Sequence, residues 1–211
     1  MKIIDLTRPL SVDTPIFPGD EAPKIEQIKH FEDDGYRMKR LTITTHTGTH
    51  IDSPSHLFKA GASLDDVEPE QFFGTAIVAD VSSTKKKIEI SDIKLTKADI
   101  FNADFLLLYT GAEETMETEG AEVQVPVLSL EAANFLASMP LKGIGLDAMS
   151  PDEIKSRELK NHKAFFHSKM IIIENLINLK KLPFGKPFCL AALPLLVANS
   201  DGCPARVVAI L

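Results

Sequence analysis

Short apolar runs, separated by Pro, Gly and charged clusters, predict many strands, with helices inserted mainly in the C-terminal half. Ile3 to Leu6 reads as a short strand, after which Pro9, Pro15, Pro18 and Gly19 enforce an extended, turn-rich loop. Lys24 to Ile28 and Tyr36 to Thr45 read as strands, the second rich in Thr and Ile. Thr75 to Val81 and Asp104 to Tyr109 have the apolar content of buried strands. Ser129 suits the N-cap of a helix running to Ser138, where Pro140 stops it. Gly143 to Asp147 follows as a strand, and Ser150-Pro151-Asp152-Glu153 reads as the opening of a helical turn with Pro at its first position. A helix over Leu159 to Ser168 leads into Met170 to Glu174, whose lack of polar alternation predicts a strand buried on both faces. Pro187 to Leu193 and Ala205 to Leu211 finish the chain as strands. A mixed-sheet α/β domain accommodates this order better than a sandwich, and no repeat or linker divides residues 1–211.

Composition narrows the function. With 211 residues the chain can form one sizeable domain, and 44% hydrophobic and 25% charged residues suit a globular protein. A net charge of −7 argues against a nucleic-acid groove, and the one basic run, Lys85-Lys86-Lys87, reads as a solvated turn between strands. The first residues start a strand and not a secretory signal. The longest apolar stretch, Phe188 to Ala198, is too short for a bilayer and contains Pro194, so no membrane partner is expected. Cys189 and Cys203 are expected to be reduced thiols in the cytoplasm, and spacing leaves open whether they meet.

The most informative segment is His46-Thr-Gly-Thr-His50-Ile-Asp52-Ser-Pro-Ser-His56, which holds three of the six histidines. Neutral imidazoles and a carboxylate are ligands for zinc, manganese and similar ions, and a catalytic site needs about three of them plus an open position. The β-branched and glycine residues around His46 and His50 oppose a helix. On a straight strand these two would lie about 13 Å apart, at roughly 3.3 Å per residue, too far to share an ion. The chain must therefore bend, and Gly48 can do so without steric cost. His50 and Asp52 point to the same side of an extended segment. His46, His50 and Asp52 form the expected ligand set. His56, offset by Pro54, is cast as the proton donor and acceptor beside the ion.

A second group is weaker on its own residues. Glu174 reads either as a functional carboxylate at the tip of a buried strand or as a solvent-facing strand end. His162, on the helix feeding that strand, reads either as its partner or as a surface residue. His30 and His167 read as ordinary histidines at element ends.

The spacing His-x-Gly-Thr-His-x-Asp-x-Pro-x-His resembles the signature of the cyclase-type metal-dependent hydrolases, the kynurenine formamidase and isatin hydrolase group. It matches at His46, Gly48, Thr49, His50, Asp52, Pro54 and His56. The resemblance extends through Asp5-Leu6-Thr7, Pro15 to Asp20, Thr110-Gly111, Gly145 to Asp147, His162 to Leu176 and Asp201 to Arg206. It implies a swivelling β/β/α fold assembled as a homodimer or higher homo-oligomer. In the formamidase branch it implies two zinc ions: His46 and His50 on the first, Asp52 bridging, His162 on the second, and Glu174 contacting both. His56 would move the proton. The isatin hydrolase branch implies one manganese held by the first cluster. Phe17 stands where formamidases carry a tryptophan that packs on an aromatic substrate. The acidic segment Glu113 to Glu119 reads as a solvated loop.

The expected activity is hydrolysis of a small-molecule formamide such as N-formyl-kynurenine, through a divalent ion that lowers the pKa of its water and polarises the carbonyl. A manganese enzyme that opens a small cyclic amide or ester is the alternative. A metal-stabilised binding module without catalysis is a reading from a different class.

Overall fold

The computed structural model describes residues 1–84, 86–116 and 125–211. Its strands are β1 (Ile3–Asp5), β2 (Lys24–Lys29), β3 (Met38–Thr42), β4 (His50–Asp52), β5 (Phe73–Asp80), β6 (Lys87–Ile88), β7 (Phe105–Tyr109), β8 (Val127–Leu128), β9 (Gly143–Leu146), β10 (Ile171–Glu174), β11 (Phe188–Pro194) and β12 (Gly202–Ile210). The helices are α1 (Phe31–Asp34), α2 (Lys97–Phe101), α3 (Ala112–Met116), α4 (Leu130–Ala137) and α5 (Lys160–His167).

Eight strands make one mixed sheet in the order β1-β12-β11-β5-β7-β9-β10-β4, and a further β12–β4 pairing closes it on itself. Strands β5, β7, β9 and β10 are parallel to their neighbours within that group. The antiparallel strands β11, β12 and β4 complete the ring. One edge of β12 serves two strands: Gly202 to Pro204 pair with β4, and Val208 to Ile210 with β1. Closure removes the edge that an open sheet would leave.

Alternation along the strands sorts side chains into two cores. Ile51, Ala76, Val78, Phe105, Leu107, Ile171, Ile173, Leu190 and Val207 fill the inside of the ring. Ile77, Ala79, Leu106, Leu108, Ile144, Leu146 and Ile172 face outward, against Ala132, Ala133 and Leu136 of α4 and Phe165 and Phe166 of α5. Buried on both faces, β7 and β10 are apolar throughout except at Glu174, as expected of interior parallel strands. The one-residue alternation also places the chemistry. Ile51 points inward, so His50 and Asp52 point out of the ring, on the face that α5 covers.

Most strands and both longer helices lie within a few residues of their expected positions, and Ser129 caps α4 by accepting from the Ala132 amide at 3.2 Å. Three expectations need correction. Ser150 to Glu153 form no helical turn; Ser150 Oγ instead accepts from the Asp152 amide at 3.1 Å, a side-chain turn that competes with helix. The strand expected over Tyr36 to Thr45 spans only Met38–Thr42, because the chain beyond it turns to bring in the histidines. Glu113 and Glu114 are not in a loose loop but in α3, where Glu113 accepts from the Asn178 amide at 2.7 Å and Glu114 pairs with Lys180. Glu117 to Glu119, like Lys85 of the basic run, lie outside the described residues. The cysteines do not meet: Cys189 sits opposite Ile210, seven positions along β12 from Cys203, or roughly 23 Å at strand spacing.

The β2–β3 hairpin stands apart, its two strands making extensive contact only with each other among the described residues. Phe31, Tyr36, Met38 and Leu41 are exposed on it.

Candidate metal centre

The cluster is assembled by a bend, a short strand and two remote supports. Gly48 adopts φ +68°, the left-handed region that lets the chain reverse between His46 and His50. The two rings then lie 5.1 Å apart, edge to face. Asn175 holds the bend: its Nδ2 donates to the Gly48 carbonyl at 3.2 Å, and its own carbonyl accepts from Thr49 Oγ1 at 2.7 Å. His50 Nδ1–H also donates to the Gly48 carbonyl, at 2.8 Å, which turns its Nε2 into the cluster.

Pairing of β4 with β10 sets Glu174 directly opposite His50. Asp52 and Glu174 each divide their two oxygens between the same histidines. Asp52 Oδ1 lies 3.2 Å from His50 Nε2, and Oδ2 lies 3.6 Å from His162 Nε2. Glu174 Oε2 lies 3.3 Å from His50 Nε2, and Oε1 lies 3.3 Å from His162 Nε2. His46 Nδ1 approaches Asp52 Oδ1 at 2.7 Å. His162 arrives on the first turn of α5, oriented by Asp152, whose carboxylate accepts from His162 Nδ1 at 2.7 Å and from the Asn161 and His162 amides at 3.0 Å. That single carboxylate both caps the helix and fixes the ring.

Two donor sets share Asp52: His46, His50 and Asp52, and Asp52, His162 and Glu174. Atoms bound at about 2.1 Å to a tetrahedral ion sit about 3.4 Å from one another, close to four of the spacings above. Within the cluster, His50 Nε2 and Glu174 Oε1 are buried without a hydrogen-bond partner. A buried polar group left so is costly unless something else satisfies it. The donor set and the bare atoms fit a divalent cation.

Electrostatics point the same way. Burial works against charge on His50, but Asp52 and then Glu174 overcome it and hold its pKa well above the usual imidazole range. His162 behaves alike, with Asp152, Asp52 and Glu174 prevailing over burial. Burial pushes Asp52 up, yet the surrounding histidines, His50 first, hold it well below the usual carboxylate range. His56 is the exception. Burial lowers its pKa, and His46 and His162 add to that, outweighing the pull of Asp52 and Asp201, so that the neutral ring is favoured.

His56 ends the short turn Pro54–His56, its ring 4.2 Å from that of His46 and 6.1 Å from that of His162. His46 and His56 keep 20% and 27% of their side-chain surface, so they mark the open side of an otherwise buried cluster. Phe17 is half-buried in a turn closed by the Asp20 amide on its carbonyl, in the segment whose Leu10 and Thr14 pack over Gly48. His30, exposed ahead of α1, and His167, its ring tilted against Phe58 at 4.7 Å, stand outside the cluster.

Sequence reasoning singled out neither Asp152 nor Asp201. Asp152 lies ten residues from the histidine it holds. Asp201 is 155 residues from His46, whose Nε2 lies 2.9 Å from its Oδ2. No local spacing could reveal either, although Asp201-Gly202 belongs to one of the segments that carry the family resemblance.

A closed mixed ring with a histidine–carboxylate cluster on its outer face defines a metal-dependent hydrolase of the cyclase type. The chain belongs to the cyclase family: residues 4–153 match the family described as "Putative cyclase". It is 30% identical to a kynurenine formamidase of Salinibacter ruber, over 99% of this chain and 97% of that one. It is 32% identical to a kynurenine formamidase of Bacillus anthracis, over 98% and 96%. Isatin hydrolase A of Ralstonia solanacearum shares the fold, with a TM-score of 0.84 at 22% identity over 99% of this chain and 91% of that one.

Proposed function

We propose that the protein is a metal-dependent amidohydrolase that cleaves a formamide of the N-formyl-kynurenine type. His46, His50 and Asp52 would hold one ion, and His162 and Glu174 a second, with Asp52 and Glu174 reaching both. The observation that carries the reading is the pair of carboxylates that each face His50 with one oxygen and His162 with the other, beside buried atoms lacking hydrogen bonds. A bound divalent ion lowers the pKa of water and polarises a carbonyl. The chain's own residues do the rest. His56, neutral and on the open side, takes a proton from the attacking water and passes it to the leaving nitrogen. Phe17 offers an aromatic wall to the acyl-aryl group.

The test is direct. Stripped protein is reloaded with zinc or manganese, its metal content measured, and hydrolysis of N-formyl-kynurenine and of isatin followed. Two ions per chain with formamide turnover is the expected result. One ion per chain with isatin opening would replace this reading by the cyclic-amide one. Metal uptake with no turnover on any amide would leave a binding module.

A homodimer belongs to the same reading. A lone two-stranded ribbon is marginal in water, and the β2–β3 hairpin with its exposed Phe31, Tyr36, Met38 and Leu41 suits packing on a second copy. Light scattering on the native protein should give twice the 23.2 kDa chain mass, and the double variant Met38→Glu, Leu41→Glu should give the monomer.

A further inference from the structure

The ion cluster accounts for His46 Nδ1 but not for the other nitrogen of that ring. His46 Nε2–H donates to Asp201 Oδ2 at 2.9 Å, and the same oxygen lies 3.4 Å from His56 Nδ1. One carboxylate oxygen therefore stands between an expected metal ligand and the expected proton carrier. The second distance is long, as hydrogen bonds of catalytic groups often are before substrate binds.

The backbone of Asp201 is fixed. Its carbonyl accepts from the Ser53 amide at 2.9 Å and from Ser53 Oγ at 3.1 Å, between Asp52 and the turn that presents His56. The next residue is glycine for a steric reason: a Cβ at Gly202 would sit 2.7 Å from His46 Cε1 and 3.0 Å from the Ile51 carbonyl. The His46 ring thus packs against Gly202, with its Nε2 on the carboxylate of the residue before it. At 43% side-chain exposure, Asp201 sits at the mouth of the cluster, not within it.

We propose that Asp201 is a positioning residue for catalysis: one oxygen accepts from His46 Nε2–H and His56 Nδ1–H, fixing the orientation and tautomer of both rings. For His46 this is the outer carboxylate that metal-bound histidines usually have. For His56 it keeps the proton on Nδ1 and leaves Nε2 as a bare acceptor. Nε2 then takes the proton of the attacking water, the resulting imidazolium is stabilised by the Asp201 charge, and Nε2 returns that proton to the leaving nitrogen. No proton passes to Asp201 itself. The assignment rests on the hydrolase reading above.

Asp201→Asn and Asp201→Ala should fold, since the backbone bonds to Ser53 remain. Zinc-loaded native protein and both variants are compared by 15N NMR of the imidazole rings, metal analysis and hydrolysis of N-formyl-kynurenine. His56 should be the Nδ1–H tautomer in the native protein and a mixture in Asp201→Ala, with ions per chain unchanged. In both variants kcat should fall about 10–100-fold with KM shifted less than about threefold. Added to His56→Ala, Asp201→Asn should cost less than it does in the native background, because only its bond to His46 is then left to lose. Loss of one metal equivalent in Asp201→Ala would overturn the proposal by making Asp201 a ligand. So would an unchanged tautomer with kcat within about twofold of native. If the native protein hydrolyses no formamide, the hydrolase reading falls, and tautomer and metal content still decide what Asp201 does.

Discussion

Individual side chains in the cluster have separable duties, and substitutions should separate them. His56 borders the cluster beside His46 and His162 and lies outside the proposed ligand set, so His56→Ala should keep its metal while turnover drops about 100-fold or more. Asp52 faces three histidines at once, and Asp52→Ala should lose metal and turnover together. Metal analysis beside a turnover assay distinguishes the two; normal turnover in His56→Ala would end its role. Gly202→Ala tests a residue with no side chain. Its added methyl must displace His46, and metal affinity should fall about 10–100-fold, the usual cost of disturbing a ligand's orientation. A competition titration with a chelating dye would show it, and native affinity would mean that the ring can tilt freely.

At the level of elements, α5 and β10 supply the second half of the cluster from opposite sides. Helix α5 begins after Leu159, which holds φ +46° and offers no side-chain cap, so Asp152 does the capping from outside the helix. Because the same carboxylate fixes His162, Asp152→Asn should weaken the helix start and the proposed second ion site together. Loss of one metal equivalent with modest loss of thermal stability is the expected pair of results. Retention of both ions would show that Glu174 and Asp52 suffice to seat the ring. The pattern of apolar residues made β10 legible as a strand buried on both faces. It left Glu174 ambiguous, since a carboxylate at a strand end looks the same in sequence whether it meets solvent or His50.

For the whole molecule, the ring closed by β4 stores a group of charges on its outer face that must be neutralised. In the metal-free protein His50 and His162 carry pKa values above their unfolded range. That contribution to stability is complete below about pH 6.5 and is lost as pH rises through the folded values, exposing Asp52 and Glu174 to each other. A bound cation does not depend on those protons and competes with them. The difference in melting temperature between zinc-loaded and stripped protein should therefore widen from pH 6 to pH 8. Calorimetry at several pH values measures it, and a constant or shrinking gap would contradict the arrangement.

Local pattern determined the strands and helices, the need for a bend at Gly48 and the shared side of His50 and Asp52, because periodicity and backbone sterics act over a few residues. The spacing that makes His46, His50 and Asp52 candidate ligands was legible for the same reason. Only the tertiary structure decided that β4 closes the ring between β10 and β12, which turns Glu174 toward His50 and brings Asp201 against His46 and His56. Those partners are separated by more than a hundred residues, and strand pairing over such distances follows from the packing of the entire ring, which no short window of residues contains.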